Sequence, residues 1–280
     1  MAIIAFWSNE KKETGQSLSV VALSTYMAIE HNYKILNIST DFIDKTIENS
    51  YWNMEKRENL VKNITSDNAE LGLEAGLEGL VKIVNSNKTS TSIVSNYSKI
   101  VFKDRLDVLC APKTEDISEY NEICRIYPDI AKLADRYYDF IFIDISKNMP
   151  EEQIRNILEL SDVIVINMTQ RLKTINNIIK LKEENDFFKK NNIMINIGRY
   201  DGFSKYNIKN VSRYMKEKKD VHVVPYNTLF FESSSDGKVA EFFLRLRRID
   251  GEDRNANFIE EIQRTSKDLI YKLQELQIKL

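Results

Sequence analysis

The sequence predicts an α/β protein built on a doubly wound, mostly parallel sheet flanked by helices. Three observations lead there. Short apolar runs alternate with amphipathic helical stretches along the whole chain, the pattern of βαβ units. Two of those runs, Phe140-Ile141-Phe142-Ile143 and Val163-Ile164-Val165-Ile166, are continuously apolar, as strands buried on both faces must be. Polar groups follow three of the runs, at Gly15-Gln16-Ser17, Ser39-Thr40-Asp41 and Asp144, and ligands of such sheets bind beyond the carboxyl ends of the strands.

In chain order, an apolar strand is expected at Ile3–Trp7 and a helix at Ser17–Glu30, then a strand at Lys34–Ile38 and a helix at Leu71–Asn85. Two short apolar runs, Ile100–Phe102 and Asp107–Cys110, read as strands before a long amphipathic helix at Ile117–Tyr137. The strand Phe140–Ile145, the helix Glu151–Leu160, the strand Asp162–Asn167 and the helix Leu172–Lys189 continue the alternation. Strands at Ile193–Ile197 and Val221–Val224 bracket a helix at Ile208–Lys218. Helices at Lys238–Leu246 and Asn257–Leu276 close the chain, the last with Phe258, Ile262, Leu269, Ile270, Leu273 and Leu276 at helical spacing.

The 280 residues suit one large domain, and only 8 Gly and 4 Pro argue against long flexible linkers. We expect residues 1–250 to form the α/β domain and 251–280 an amphipathic C-terminal helix packed on it. With 40 Lys+Arg against 42 Asp+Glu, global charge favours neither nucleic acid nor membrane, so only local patches could do so. Cys110 and Cys124 are too few for a disulfide scaffold or a zinc site, and a reducing, cytoplasmic setting is the default. No signal peptide is visible and no apolar run approaches the roughly 20 residues that span a bilayer.

The stretch Lys11-Lys12-Glu13-Thr14-Gly15-Gln16-Ser17, between the first strand and the first helix, stands where a phosphate loop would. Such a loop aims successive backbone N–H groups and a helix dipole at an anion, and glycines permit the close approach. An aspartate closing an apolar strand, here Asp144, can hold magnesium opposite it.

These residues resemble the ParA/MinD group of deviant P-loop ATPases, over nearly the whole chain. The group's loop, Lys-Gly-Gly-x-Gly-Lys-Ser/Thr, places its signature lysine on Lys11, its last glycine on Gly15, its phosphate lysine on Gln16 and its magnesium hydroxyl on Ser17. Its Asp-x-Asp matches Ser39-Thr40-Asp41, and its later strand-end aspartate matches Asp144. Gly198-Arg199-Tyr200 resembles an adenine-contacting Asn-Arg-Tyr turn, and Val224-Pro225-Tyr226 an Ile-Pro-Tyr segment. Phe6-Trp7-Ser8, Ser204-Lys205-Tyr206-Asn207 and Pro225-Tyr226-Asn227 are similar to a low-GC Gram-positive branch connected with conjugative elements and pilus or secretion assembly. The resemblance implies ATP and Mg2+ as ligands and a homodimer. It implies nucleotide contacts at Lys11, Lys12, Gly15, Gln16, Ser17, Leu18, Arg199 and Pro225, metal contacts at Ser17 and Asp144, and catalytic roles for Lys11, Asp41 and Asp144.

Three departures weaken that chemistry. Lys12 and Glu13 replace loop glycines, and Gln16 loses a full positive charge facing the phosphates, a loss of about 1–3 kcal/mol in affinity. Ser39 replaces the first carboxylate, and a serine cannot act as a base near neutral pH. Gly198 replaces the asparagine of the adenine turn. The expected function is therefore a ParA/MinD-like positioning, partition or assembly factor with weak or lost ATP hydrolysis, serving a partner protein of a partition, conjugation or pilus system. Two alternatives stay open: an active Mg-dependent ATPase whose Lys11 or Lys12 stands in for the missing lysine, and a non-catalytic protein- or DNA-binding module.

Two surfaces deserve notice. Arg245, Arg247 and Arg248 form a basic run that could hold DNA phosphates non-specifically, against a solvated helix end balanced by Asp250, Glu252 and Asp253. Lys209, Arg213, Lys216, Lys218 and Lys219 form a second cluster. The last helix mixes acids and bases on its polar face, which favours packing on the sheet or a partner over membrane binding.

Overall fold

A computed structural model describes residues 2–10, 14–53, 76–86, 90–190, 192–217 and 220–279. Its strands are β1 (Ala2–Trp7), β2 (Ile35–Ser39), β3 (Lys99–Phe102), β4 (Leu106–Leu109), β5 (Phe140–Asp144), β6 (Val163–Met168), β7 (Ile193–Tyr200) and β8 (Val221–Pro225). They form one eight-stranded sheet in the order β3-β4-β2-β5-β1-β6-β7-β8. Every pairing is parallel except β3 on β4, which is antiparallel at one edge. The mostly parallel, doubly wound sheet expected from the sequence is present.

Both faces of the sheet are covered, which is why its strands read as continuous apolar runs. In β5, Ile141 and Ile143 enter one core with Leu36, Ile38, Tyr127 and Ile130. Phe140 and Phe142 enter the other, with Ile4, Phe6, Leu23 and Met27. The first face carries α3 (Leu77–Asn85), α4 (Ile93–Tyr97), α5 (Ile117–Cys124), α6 (Tyr127–Ala134), α7 (Glu151–Leu160), α8 (Leu172–Glu184), α9 (Asp186–Lys190) and α10 (Ile208–Met215). The second carries α1 (Gln16–Glu30), α2 (Thr46–Trp52), α11 (Thr228–Ser235), α12 (Val239–Arg245) and α13 (Ala256–Lys279).

Several helices differ from the sequence expectation, for local reasons. The single helix expected over 117–137 is two, because Pro128 sits in the first turn of α6 and cannot continue a helix begun at α5. The helix expected over 172–189 breaks at Asn185, an extended residue whose Oδ1 accepts from the Phe187 N–H and starts α9. Of the helix expected over 71–85, residues 71–75 lie outside the described residues and the rest is α3. The helices α2, α4 and α11 were not expected. α11 reads Thr-Leu-Phe-Phe-Glu-Ser-Ser-Ser and has weak intrinsic propensity, but Asn227 caps it by accepting from the Phe230 N–H, and Phe230 is buried.

The last helix, α13, lies along β8 and against α1. It buries Phe258, Ile262, Leu269, Ile270 and Leu273. Thr265 Oγ1 donates to the Val223 carbonyl, and Lys272 Nζ pairs with Asp220 while donating to the Ile193 carbonyl. The apolar stripe of this helix is thus spent on the sheet and its neighbours. Among the described residues, no helix is long and apolar enough to cross a membrane.

Candidate functional site

Three strands end together. The register sets Phe6 beside Asp144 and Ser39 beside Asp144, so the residues after β1, β2 and β5 share one end of the sheet. Thr14 is buried there, and Gly15 enters α1 with φ of +74°, a conformation that favours glycine. No side chain caps α1, so the N–H groups of its first turn point to the cleft without intrahelical partners. Such a helix start can receive an anion, with the helix dipole behind it.

Thr14 and Gly15 are fitted closely to β7. A Cβ placed on Gly198 would meet the Thr14 carbonyl oxygen at 2.2 Å and Gly15 backbone atoms at 3.2 Å. The expectation drawn from sequence, that Gly198 marks a lost adenine contact, is therefore incomplete: the position is where β7 presses on the loop, and no larger residue fits. Beneath it runs a buried polar chain. Ser19 Oγ donates to the Gly15 carbonyl, and Asn196 Nδ2 donates to Ser19 Oγ and to Asn167 Oδ1, tying β6, β7 and the start of α1 together.

Gln16, at the phosphate-lysine position, turns away from the loop. Its Nε2 donates to Asp144 Oδ1 at 2.7 Å and to the Ile145 carbonyl at 2.9 Å, so both amide protons are engaged with the end of β5. Burial pushes the Asp144 carboxyl up to about 7, opposed by hydrogen bonds from Ser17 and Gln16 and helped by Asp44 and Asp41 nearby. Near neutral pH the carboxyl would give up a proton to hold a cation. Asp41 accepts from Ser146 Oγ and from the Ile43 and Asp44 N–H groups, which fixes the turn after β2 against the turn after β5. Thr40 Oγ1 donates to the Asp144 carbonyl and accepts from the Ser146 N–H.

The resulting cleft holds about 500 Å³, and its wall includes Gly15, Gln16, Ser17, Leu18, Asp41, Asp144 and Arg199. Pro225 lines a small adjoining hollow with Gly15, Leu18, Arg199, Tyr226 and Phe230. These eight positions proposed from sequence come together. Lys11 and Lys12 lie outside the described residues. Arg245, Arg247 and Arg248 are exposed near the far end of α1, where Arg247 Nε pairs with Glu30 at 2.8 Å. At 1.5 Å of rise per residue, that puts them about 20 Å from the loop.

Ser39 is not among the residues lining the cleft. It is buried, and its hydroxyl donates to Glu48 Oε2 at 3.3 Å. Glu48, in α2, also accepts the Ala111 N–H on Oε1 at 2.6 Å. Sequence reading missed Glu48, because the seven-residue α2 is too short to show a helical period. Burial raises its carboxyl above the usual range, partly offset by hydrogen bonds including those from Ala111 and Ser39. An acid whose folded pKa lies above its unfolded one is most stabilising when protonated, so its contribution falls as pH rises from the unfolded value through the folded one. Glu48→Gln keeps an acceptor for Ala111 and removes this pH dependence. We expect the stability difference between wild type and Glu48→Gln, from urea midpoints at pH 5 and pH 8, to shift toward the variant at the higher pH. Glu48→Ala strands the Ala111 N–H and should cost about 1–3 kcal/mol.

The donor set fits a nucleoside phosphate with magnesium. The glycine-shaped cradle at Thr14–Gly15 and the uncapped helix start suit the phosphates, and the Ser17 hydroxyl and Asp144 carboxylate would hold the cation. No family model matches the chain, and no curated protein matches it in sequence. Solved structures do match in fold. A ParA family ATPase from Chlorobium tepidum is 17% identical, with 92% of this chain and 95% of that chain covered at a TM-score of 0.64. The septum site-determining protein MinD of Pyrococcus horikoshii, complexed with Mg-ADP, is 16% identical, with 97% and 98% covered at 0.63. The MinC:MinD cell division complex of Aquifex aeolicus is 14% identical, with 96% of each chain covered at 0.60. Along nearly its full length, the chain has the ParA/MinD type of P-loop fold.

Proposed function

We propose that this protein is a ParA/MinD-like positioning, partition or assembly factor that binds ATP and magnesium weakly, hydrolyses ATP slowly or not at all, and acts as a homodimer on a partner protein. The observation that carries this reading is the Gln16 amide. The cradle for a phosphate is intact in shape, but the side chain at its gripping position spends both donors on Asp144 and the Ile145 carbonyl. A neutral amide so engaged offers the phosphates no charge, and charge-assisted bonds are roughly twice as strong as neutral ones. Structural neighbours that carry Mg-ADP or a bound MinC support a nucleotide site and a protein partner in proteins of this shape.

Calorimetry with ATP and a non-hydrolysable analogue, with and without magnesium and with oligomeric state monitored, tests the reading. We expect magnesium-dependent binding with little turnover. Gln16→Lys should tighten ATP by about tenfold or more. Rapid magnesium-dependent turnover by the wild type, abolished by Asp144→Ala, would contradict the reading, as would failure to bind nucleotide at all.

A further inference from the structure

Among the described residues, the wall of the cleft is poor in positive charge. The described wall carries the carboxylates of Glu10, Asp41, Asp44 and Asp144, but only two cations, Lys147 and Arg199. Arg199 packs against Gly15 and turns toward Phe231, its guanidinium 5.9 Å from that ring's centre, beside the hollow that Pro225 lines. Of these two cations only Lys147 stands away from that hollow, and Gln16 adds no charge of its own.

Lys147 lines the cleft from the turn after β5. It follows β5 by three residues, exposed at the tip of a turn whose flanks Ser146 and Met149 are buried. The turn is pinned on every side. Gln16 Nε2 binds the Ile145 carbonyl, and Thr40 Oγ1 accepts from the Ser146 N–H. Ser146 Oγ donates to Asp41 and accepts from the Asn148 N–H, and the Met149 N–H closes on the Ser146 carbonyl. The backbone that carries Lys147 is thus held at the edge of the cleft that the residue lines. No hydrogen bond or ion pair to another described residue engages its ammonium.

We infer that Lys147 is the cation opposite the terminal phosphate of a bound nucleoside di- or triphosphate, supplying from the turn after β5 the charge that Gln16 does not supply from the loop. Gln16 then acts as the brace that sets the turn. The inference rests on the cleft being a nucleotide site. It specifies which phosphates are read: a lysine at the end of the cleft away from Pro225 senses the terminal phosphate and ignores the base and sugar.

The test is titration of wild type, Lys147→Ala, Lys147→Arg, Lys11→Ala and Lys12→Ala with ATP, ADP and AMP in magnesium. We expect Lys147→Ala to weaken ATP by about tenfold or more and leave AMP unchanged, with Lys147→Arg restoring most of the ATP affinity. Wild-type ATP affinity in Lys147→Ala overturns the inference alone. So does an equal loss of ATP and AMP, or a loss confined to Lys11→Ala or Lys12→Ala. Absence of binding by the wild type to all three nucleotides overturns both the inference and the nucleotide reading beneath it.

Discussion

Replacing Gly198 with alanine, or with the asparagine that the resemblance expects there, will unseat the loop after β1 and abolish nucleotide binding. The first added carbon would lie 2.2 Å from the Thr14 carbonyl oxygen, and both partners are backbone. Relief needs a retreat of about 1 Å or more, because non-bonded heavy atoms pack at roughly 3.5 Å and above. The loop can retreat only by breaking the chain from Gly15 through Ser19 to Asn196. Overpacking of this kind costs about 1–3 kcal/mol. Thermal melts should fall by several degrees, and ATP titrations should go flat. Gly202→Ala is the control: its added carbon has nothing nearer than Tyr200 Cε1 at 3.8 Å, so stability and binding should be unchanged. A Gly198→Asn protein that melts and binds like the wild type would show that the contact is not rigid.

Phe230→Ala should give the largest loss of stability, about 3–5 kcal/mol for a buried aromatic truncated in a packed core. Phe230 is 3% exposed and meets Phe258 at 5.0 Å, Phe242 at 5.6 Å and Phe243 at 6.0 Å between ring centres. These rings come from α11, α12 and α13, so a hole at the centre loosens three helices together. α11 also supplies Phe231, Ser234 and Ser235 to the wall of the cleft. The variant should therefore lose ligand affinity as well as stability, whereas Phe243→Leu, which keeps most of the volume, should cost less than about 1.5 kcal/mol and leave binding intact. Urea unfolding alongside nucleotide titration separates the two effects.

The fold was legible because its signal is collective. Seven of the eight strands are largely buried and leave apolar runs that no local accident imitates, and the order of those runs pointed to a mostly parallel sheet. Helix ends were less legible, since Pro128 and Asn185 each interrupt an amphipathic pattern that would otherwise run on. The described residues that line the cleft from the strand ends and the start of α1 could be placed there from sequence because chain position alone puts them at one end of the sheet. What sequence could not show was contact across the sheet. Gly198 looked like a missing side chain and is a place where none fits. Ser39 looked like a vacancy in the cleft and is the buried partner of Glu48. Lys147 carries no motif, and only the pinned turn after β5 reveals where it stands.

The position of α13 along β8 has a consequence for how the protein is made. Every described strand precedes α13 in the chain, so the sheet emerges during synthesis before this part of its cover does. Until α13 docks, β8 offers an open edge and Phe230, Phe242 and Phe243 lack their shared neighbour Phe258. Bare edges and exposed aromatic surface are what other chains bind during folding. Nascent chains that stop short of residue 256 should thus be the aggregating species, and yield in a cell should depend on finishing the last helix as much as on the stability of the completed fold.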